Sequence, residues 1–199
     1  MMHKKGLRNL KRRKNFRVLR KIFLIVCEGE KTEPNYFKGF RVSKRIIDIY
    51  GVGDNTENLV RKAIEIRDND GTSYDEVWCV FDRDSFPVQN FNNALSIANR
   101  NNIQVAYSNE AFEIWYILHF YYHDTATSRN QYKRMVTDRL GFEYKKNDPN
   151  IYEQIIGMQE NAIMNAKRLL NSYPNPNPAI DNPSTKVHLL VSQLKRYSV

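Results

Sequence analysis

The chain has 199 residues, of which 41% are hydrophobic and 27% charged. These values suit one ordinary domain with a real core and exclude a disordered or collagen-like chain. No apolar stretch reaches the roughly 20 residues of a membrane helix. The longest, residues 112–122, carries Glu113 and His119, and the run 22–27 is too short for a secretory signal. Cys27 and Cys79 sit inside apolar runs without a CxxC spacing, which argues against a disulfide scaffold and a cysteine zinc site. A soluble cytoplasmic protein is expected.

Lysine and arginine total 31 against 22 acids, a net charge of +9. Ten of the bases fall in residues 1–21, which hold no acid: Lys4, Lys5, Arg8, Lys11, Arg12, Arg13, Lys14, Arg17, Arg20 and Lys21. The body is therefore near neutral and the excess belongs to an N-terminal arm. Such an arm attracts polyanions, because each neutralised phosphate releases condensed counterions. With Phe16 as its sole aromatic, the arm is expected to bind nucleic acid unspecifically and with strong salt dependence; the plainer reading is a solubilising tail.

The apolar run 21–27 (KIFLIVC) stops at Glu28-Gly29 and reads as a central strand feeding a turn. Thr32 is a candidate N-cap with Pro34 just inside, followed by Tyr36, Phe37 and Phe40 at helical spacing. Residues 46–50 form a second strand candidate closed by Gly51 and Gly53, and 55–67 a helix with Leu59, Ala63 and Ile66 on one face. The third strand is 74–81, and Phe91, Ala94, Leu95 and Ala98 mark the next helix. Residues 103–107 and 111–122 supply a fourth strand and a buried helix. This alternation predicts a mostly parallel, four-stranded α/β sheet covered on both faces.

Beyond residue 125 the pattern is helical, over 132–140, 154–170 and 183–197. Asn182-Pro183 is expected to cap the last helix, and the proline-rich stretch 173–183 to act as a rigid connector. The organisation expected is an arm at 1–21, an α/β domain at 22–125 and a helical region at 126–199 packed on it.

Acids fall where buried strands end. Glu28 terminates the first strand, and Asp82 and Asp84 terminate the third; at i and i+2 of an extended chain the two aspartates share a face. Ligands of open parallel sheets bind at the carboxyl ends of the strands. Crowded carboxylates repel unless a cation compensates, and Mg²⁺ (or Mn²⁺) suits oxygen ligands and phosphodiester chemistry. Glu28, Asp82 and Asp84 are thus the candidate metal ligands and catalytic residues, with Glu28 also a candidate proton shuttle. The plain alternative is that these acids solvate strand ends or pair with Arg83 and Lys31. A P-loop is excluded, since Gly29-Glu30-Lys31-Thr32 lacks the required glycines. A haloacid-dehalogenase-like phosphatase with Asp82 as nucleophile and Asp84 as acid/base is a further alternative, although Phe86 occupies its hydroxyl position.

Three blocks carry a family resemblance. Residues 27–37 (CEGEKTEPNYF) are similar to the opening motif of the RloB-like family of bacterial defence proteins, 109–115 (NEAFEIW) with Leu118-His119-Phe120 to its second block, and 182–188 (NPSTKVH) to its C-terminal block. The resemblance implies a Toprim-like fold in which a strand-terminal glutamate and a DxD bind Mg²⁺, positions that fall on Glu28, Asp82 and Asp84. It also implies an ATPase partner encoded in the same anti-phage or abortive-infection locus, and a nuclease acting on DNA or RNA, tRNA included. Two departures stand out: Phe86 where topoisomerase-type sites have a third aspartate, and Glu110 where the second block often has proline, which predicts a different local turn.

Glu113 reads equally as an added metal ligand and as an exposed acid favoured by the helix dipole. His119, Trp115 and Tyr116 read as core. Lys31 either steers a phosphate or is an ordinary surface lysine, and Tyr144, Lys145 and Lys146 form a small aromatic-basic patch of the kind that lines nucleic-acid grooves. The leading expectation is a Mg²⁺-dependent nuclease. The alternative from another class is a catalytically silent binding or adaptor module.

Overall fold

The computed structural model describes residues 21–40, 47–53, 55–83 and 87–197. The basic arm, apart from Lys21, and Asp84 with Phe86 lie outside the described residues. β1 (Phe23–Cys27) is flanked by β2 (Ile47–Gly51) and β3 (Glu76–Asp82), both parallel to it, and β3 pairs in parallel with β4 (Gln104–Asn109). A two-residue strand, β5 (Ser184–Thr185), adds antiparallel to β4, giving the order β2-β1-β3-β4-β5. The sheet thus has five strands rather than four, because two residues leave no period-2 signal to read.

β1 is buried along its whole length, as a strand covered on both faces must be. Its alternation divides the core. Leu24 and Val26 pack with Leu59, Val60, Ala63, Phe91 and Ala94 of α2 (Thr56–Asn69) and α3 (Val88–Arg100). Phe23, Ile25 and Cys27 pack on the other face with α1 (Thr32–Lys38) and α4 (Glu113–Phe120). That second cluster continues into α5 (Arg129–Leu140), α6 (Ile151–Ile155), α7 (Gln159–Asn171) and α8 (Val187–Lys195) through Tyr132, Val136, Ile155, Ala162, Leu190 and Leu194. The helical residues beyond 125 therefore share one core with the sheet.

Three local expectations are corrected. The helix expected over 154–170 is broken by a 3₁₀ turn at Ile156–Met158, which contains Gly157 and separates α6 from α7. Asn182-Pro183 does not cap the last helix. Its peptide is cis, and the chain goes on extended into β5, where Thr185 Oγ1 donates to the Tyr107 carbonyl at 3.0 Å. α8 starts only at Val187, whose N–H donates to Thr185 Oγ1 at 3.2 Å; pairing with β4 overrides the proline-start signal. Thr32 likewise does not cap α1, since Lys31 holds that position and the Thr32 hydroxyl donates to the Lys146 carbonyl at 2.7 Å. The Asn109–Glu110 peptide is also cis. None of the described helices is long and apolar enough to cross a membrane.

The chain leaves β1 for β2 on one side and returns to β3 on the other. β1 and β3 are thus the strands between which the order reverses, where open α/β sheets bind ligands beyond their carboxyl ends.

Candidate functional site

Glu28 and Asp82 meet at that crevice. The Glu28 N–H donates to the Val80 carbonyl at 2.9 Å, extending β1 alongside β3 by one residue. Its carboxylate turns to β3, where Oε2 accepts the Asp82 N–H at 2.9 Å, and Oε1 accepts from the Thr56 hydroxyl of α2 at 3.5 Å. The turn that follows lies close against β2: a Cβ on Gly51 would sit 2.6 Å from the Gly29 carbonyl oxygen, so the glycine there permits the approach.

Two further acids join them. Glu33, in the first turn of α1, is 6% exposed, and its carboxyl lies over Gly29 where no other residue would leave it room. Glu113, in the first turn of α4, is 1% exposed, which overturns its reading as an exposed helix acid. α1 is locked to α4 by an edge contact of the Tyr36 ring with Phe112 and a tilted contact with Tyr116, each at 5.8 Å between centroids. That packing sets both acids at the same end of the sheet as Asp82.

Among the described residues, two cations pair with these acids. Arg129, at the start of α5, places Nη2 at 3.3 Å from Asp82 Oδ2. Lys146, in the loop before α6, places Nζ at 3.7 Å from Glu113 Oε1, which also accepts the Tyr144 hydroxyl at 3.3 Å. Tyr144 is therefore buried, and its ring does not line a nucleic-acid groove with Lys145 and Lys146 as the sequence suggested. Lys31 is exposed at the start of α1.

Asp82 Oδ1 and Glu33 Oε2 are buried with no hydrogen-bond partner among the described residues, a costly state for a carboxylate oxygen. Burial, then the neighbouring Glu33 and Glu113, holds the Asp82 carboxyl well above the usual carboxylate range, while Arg129 pulls the other way. Burial also raises the Glu33 carboxyl to about 7, with Glu113 and Glu28 adding to it and Lys146 opposing. Among the described residues the four carboxyl groups outnumber the two cations paired with them, an excess of negative charge that one hard divalent ion would offset.

The donor set fits such an ion in chemistry: every candidate ligand is a carboxylate oxygen, and two are orphaned. As placed, however, no three His, Cys, Asp or Glu among the described residues form a group that would hold a metal. Glu28 spends Oε2 on the Asp82 amide, and Asp84 lies outside the described residues. His119 is core, with Nδ1 at 2.9 Å from the Trp115 carbonyl oxygen, and Trp115 and Tyr116 are fully buried.

Sequence reading left Glu33, Arg129 and the true place of Lys146 unseen. Glu33 had one signal: it stands five residues after Glu28, on the first turn of the helix that begins at the strand's own crevice. Lys146 stood in the aromatic-basic patch 144–146, which did not tell that it pairs with Glu113, and Arg129 of the helical region had no signal.

No curated protein and no solved structure matches the chain. A family model described as RloB-like protein matches residues 23–194, a span that includes all four acids and both cations, and the chain belongs to the RloB-like family.

Proposed function

We propose that the protein is a divalent-cation-dependent nuclease that cleaves phosphodiester bonds in DNA or RNA, within a bacterial defence system that includes an ATPase partner. The observation that carries this reading is the pair of buried, unpartnered carboxylate oxygens, Asp82 Oδ1 and Glu33 Oε2, beside Glu28 and Glu113 at the strand ends. A bound hard cation would satisfy both oxygens at once.

Asp82 and Glu33 would hold Mg²⁺ or Mn²⁺, with Glu28, Glu113 and Asp84 completing the donor set. Such an ion polarises a phosphodiester and lowers the pKa of an attacking water. Glu28, fixed by the Asp82 amide through Oε2, is the residue to move a proton at Oε1. The packing of α1 and α4 excludes bulk water from the inner carboxyls. The basic arm, residues 1–21, would add salt-dependent attraction for the polyanion.

The test is cleavage of tRNA, single-stranded DNA and plasmid by the full chain, alone and with the ATPase. Cleavage should need Mg²⁺ or Mn²⁺, stop in EDTA, and fall at least about 100-fold in Asp82→Asn and Glu28→Gln. Cleavage that persists in EDTA, or in both variants, contradicts the reading.

A second reading is a silent, nucleic-acid-binding adaptor. It draws support from the Glu28 carboxylate, which is turned to a backbone amide, and from the lack of a ready three-acid group among the described residues. Deleting residues 1–21 separates the two, since a nuclease body keeps cleavage of a short substrate and an adaptor loses its measurable activity.

A further inference from the structure

Resting on the nuclease reading, we propose that Arg129 and Lys146 form a phosphate clamp. The helical region would thus supply the substrate-binding half of a site whose acidic half comes from the sheet.

The two cations share an unusual placement. Their side chains are 37% and 49% exposed, whereas the carboxylates they touch, Asp82 and Glu113, are 11% and 2% exposed. Each therefore stands at the rim, with one side on a buried acid and the other on solvent. Both are fixed by their backbones rather than by those acids. Arg129 opens α5 directly after Ser128, which is held to Gln131 through its N–H at 2.9 Å and its hydroxyl at 2.8 Å. The loop of Lys146 is pinned to α1 by the Thr32 hydroxyl on the Lys146 carbonyl and by the Asn35 amide on the Asn147 carbonyl at 3.2 Å.

Neither cation is saturated. A guanidinium carries five N–H donors in a fork that matches phosphate oxygens. Among the described residues, Arg129 uses one of them, at a long 3.3 Å. At 3.7 Å the Lys146 ammonium is an ion pair with Glu113 without being a hydrogen bond. Donors on both thus remain for a ligand arriving from solvent.

Electrostatics gives the ligand its charge. A phosphodiester approaching four carboxylates is repelled, and a divalent ion among them offsets the acids without offsetting the substrate as well. Two cations at the rim meet that second need. The contact is to backbone phosphate rather than to bases: Tyr144, the aromatic nearest Lys146 in sequence, is buried and bonded to Glu113, so it offers no ring face for stacking. Backbone contacts position a strand without reading its sequence.

A purely structural role for the pair, neutralising Asp82 and Glu113, predicts no effect on phosphate counterion release. The deciding measurement is binding of a fluorescent 12-nucleotide single strand to the full-length protein at one fixed Ca²⁺ concentration, over a series of KCl concentrations. In R129A/K146A the slope of log affinity against log salt should become shallower by about 1.4, which is about 0.7 for each lost phosphate contact. R129K/K146R, which keeps both charges, should retain the parent slope and shows that folding is not the cause. An unchanged slope in R129A/K146A overturns the clamp, and it leaves the nuclease reading standing if the parent chain cleaves in Mg²⁺. A shallower slope without cleavage under any cation keeps the clamp and overturns the nuclease reading instead.

Discussion

At the amino end of the sheet, acids are numerous and satisfied. The Tyr74 hydroxyl donates to Asp70 and lies 2.9 Å from an Asp48 carboxylate oxygen, the Ile22 N–H donates to Asp75 at 2.8 Å, and Lys21 pairs with Glu76 at 2.6 Å. The Tyr74 hydroxyl and the Thr72 backbone hold the exposed Asp70 carboxyl below its ordinary value. At the carboxyl end, Glu33 and Asp82 are buried, each keeps an unpartnered oxygen, and both are pushed the opposite way. The number of acids does not distinguish the two ends. Burial without a partner does, and it marks the end where the fold tolerates a cost that a bound cation would relieve.

The sharpest way to break this contrast is to neutralise one acid at each end. Glu33 has a folded pKa of about 7 against an ordinary value of 4.5, so the folded chain binds more protons than the unfolded one between those pH values. Stability in EDTA should therefore be highest below about pH 4.5 on this group's account and decline as pH rises toward 7. Glu33→Gln in EDTA at pH 8 should stabilise the fold by up to about 3 kcal/mol, the equivalent of that shift. Urea unfolding of parent and variant measures it, and a destabilised variant would refute the claim that this acid is held at a cost.

Two changes probe the cluster more gently. Gly29→Ala would place a Cβ against the Glu33 carboxylate, and the forced shift should cost about 2 kcal/mol, read as a lower unfolding midpoint. Tyr144→Phe removes one hydrogen bond to Glu113 and should cost about 1 kcal/mol. The smallest effect is expected at the other end. Asp70→Asn should destabilise slightly, with a pH dependence of opposite sign: this carboxyl's contribution is present above its unfolded pKa and lost as pH falls through its lowered folded one. Equal behaviour at the two ends would erase the distinction.

The comparison also shows what sequence made visible. β1 and β3 were readable because strands buried on both faces become continuous apolar runs, and Glu28 and Asp82 stood out as the charges that end them. Glu33 was hidden among the acids common in a first helical turn, where solvent exposure is the ordinary state. Arg129 and Lys146 lie 47 and 64 residues beyond Asp82 in the chain, so only tertiary packing brings them to the site, and no periodicity records it. β5 exists because Thr185 and Ser184 find β4, a partnership that no local signal in residues 182–187 encodes.

The central claim, that the acids at the carboxyl end hold a divalent ion, is tested most directly by titrating Mn²⁺ into the full-length chain and reading the loss of its free paramagnetic signal. Saturable binding that is abolished in Asp82→Asn and weakened in Glu33→Gln is the expected result. Absence of saturable binding, or equal binding by the parent chain and Asp82→Asn, would contradict the account.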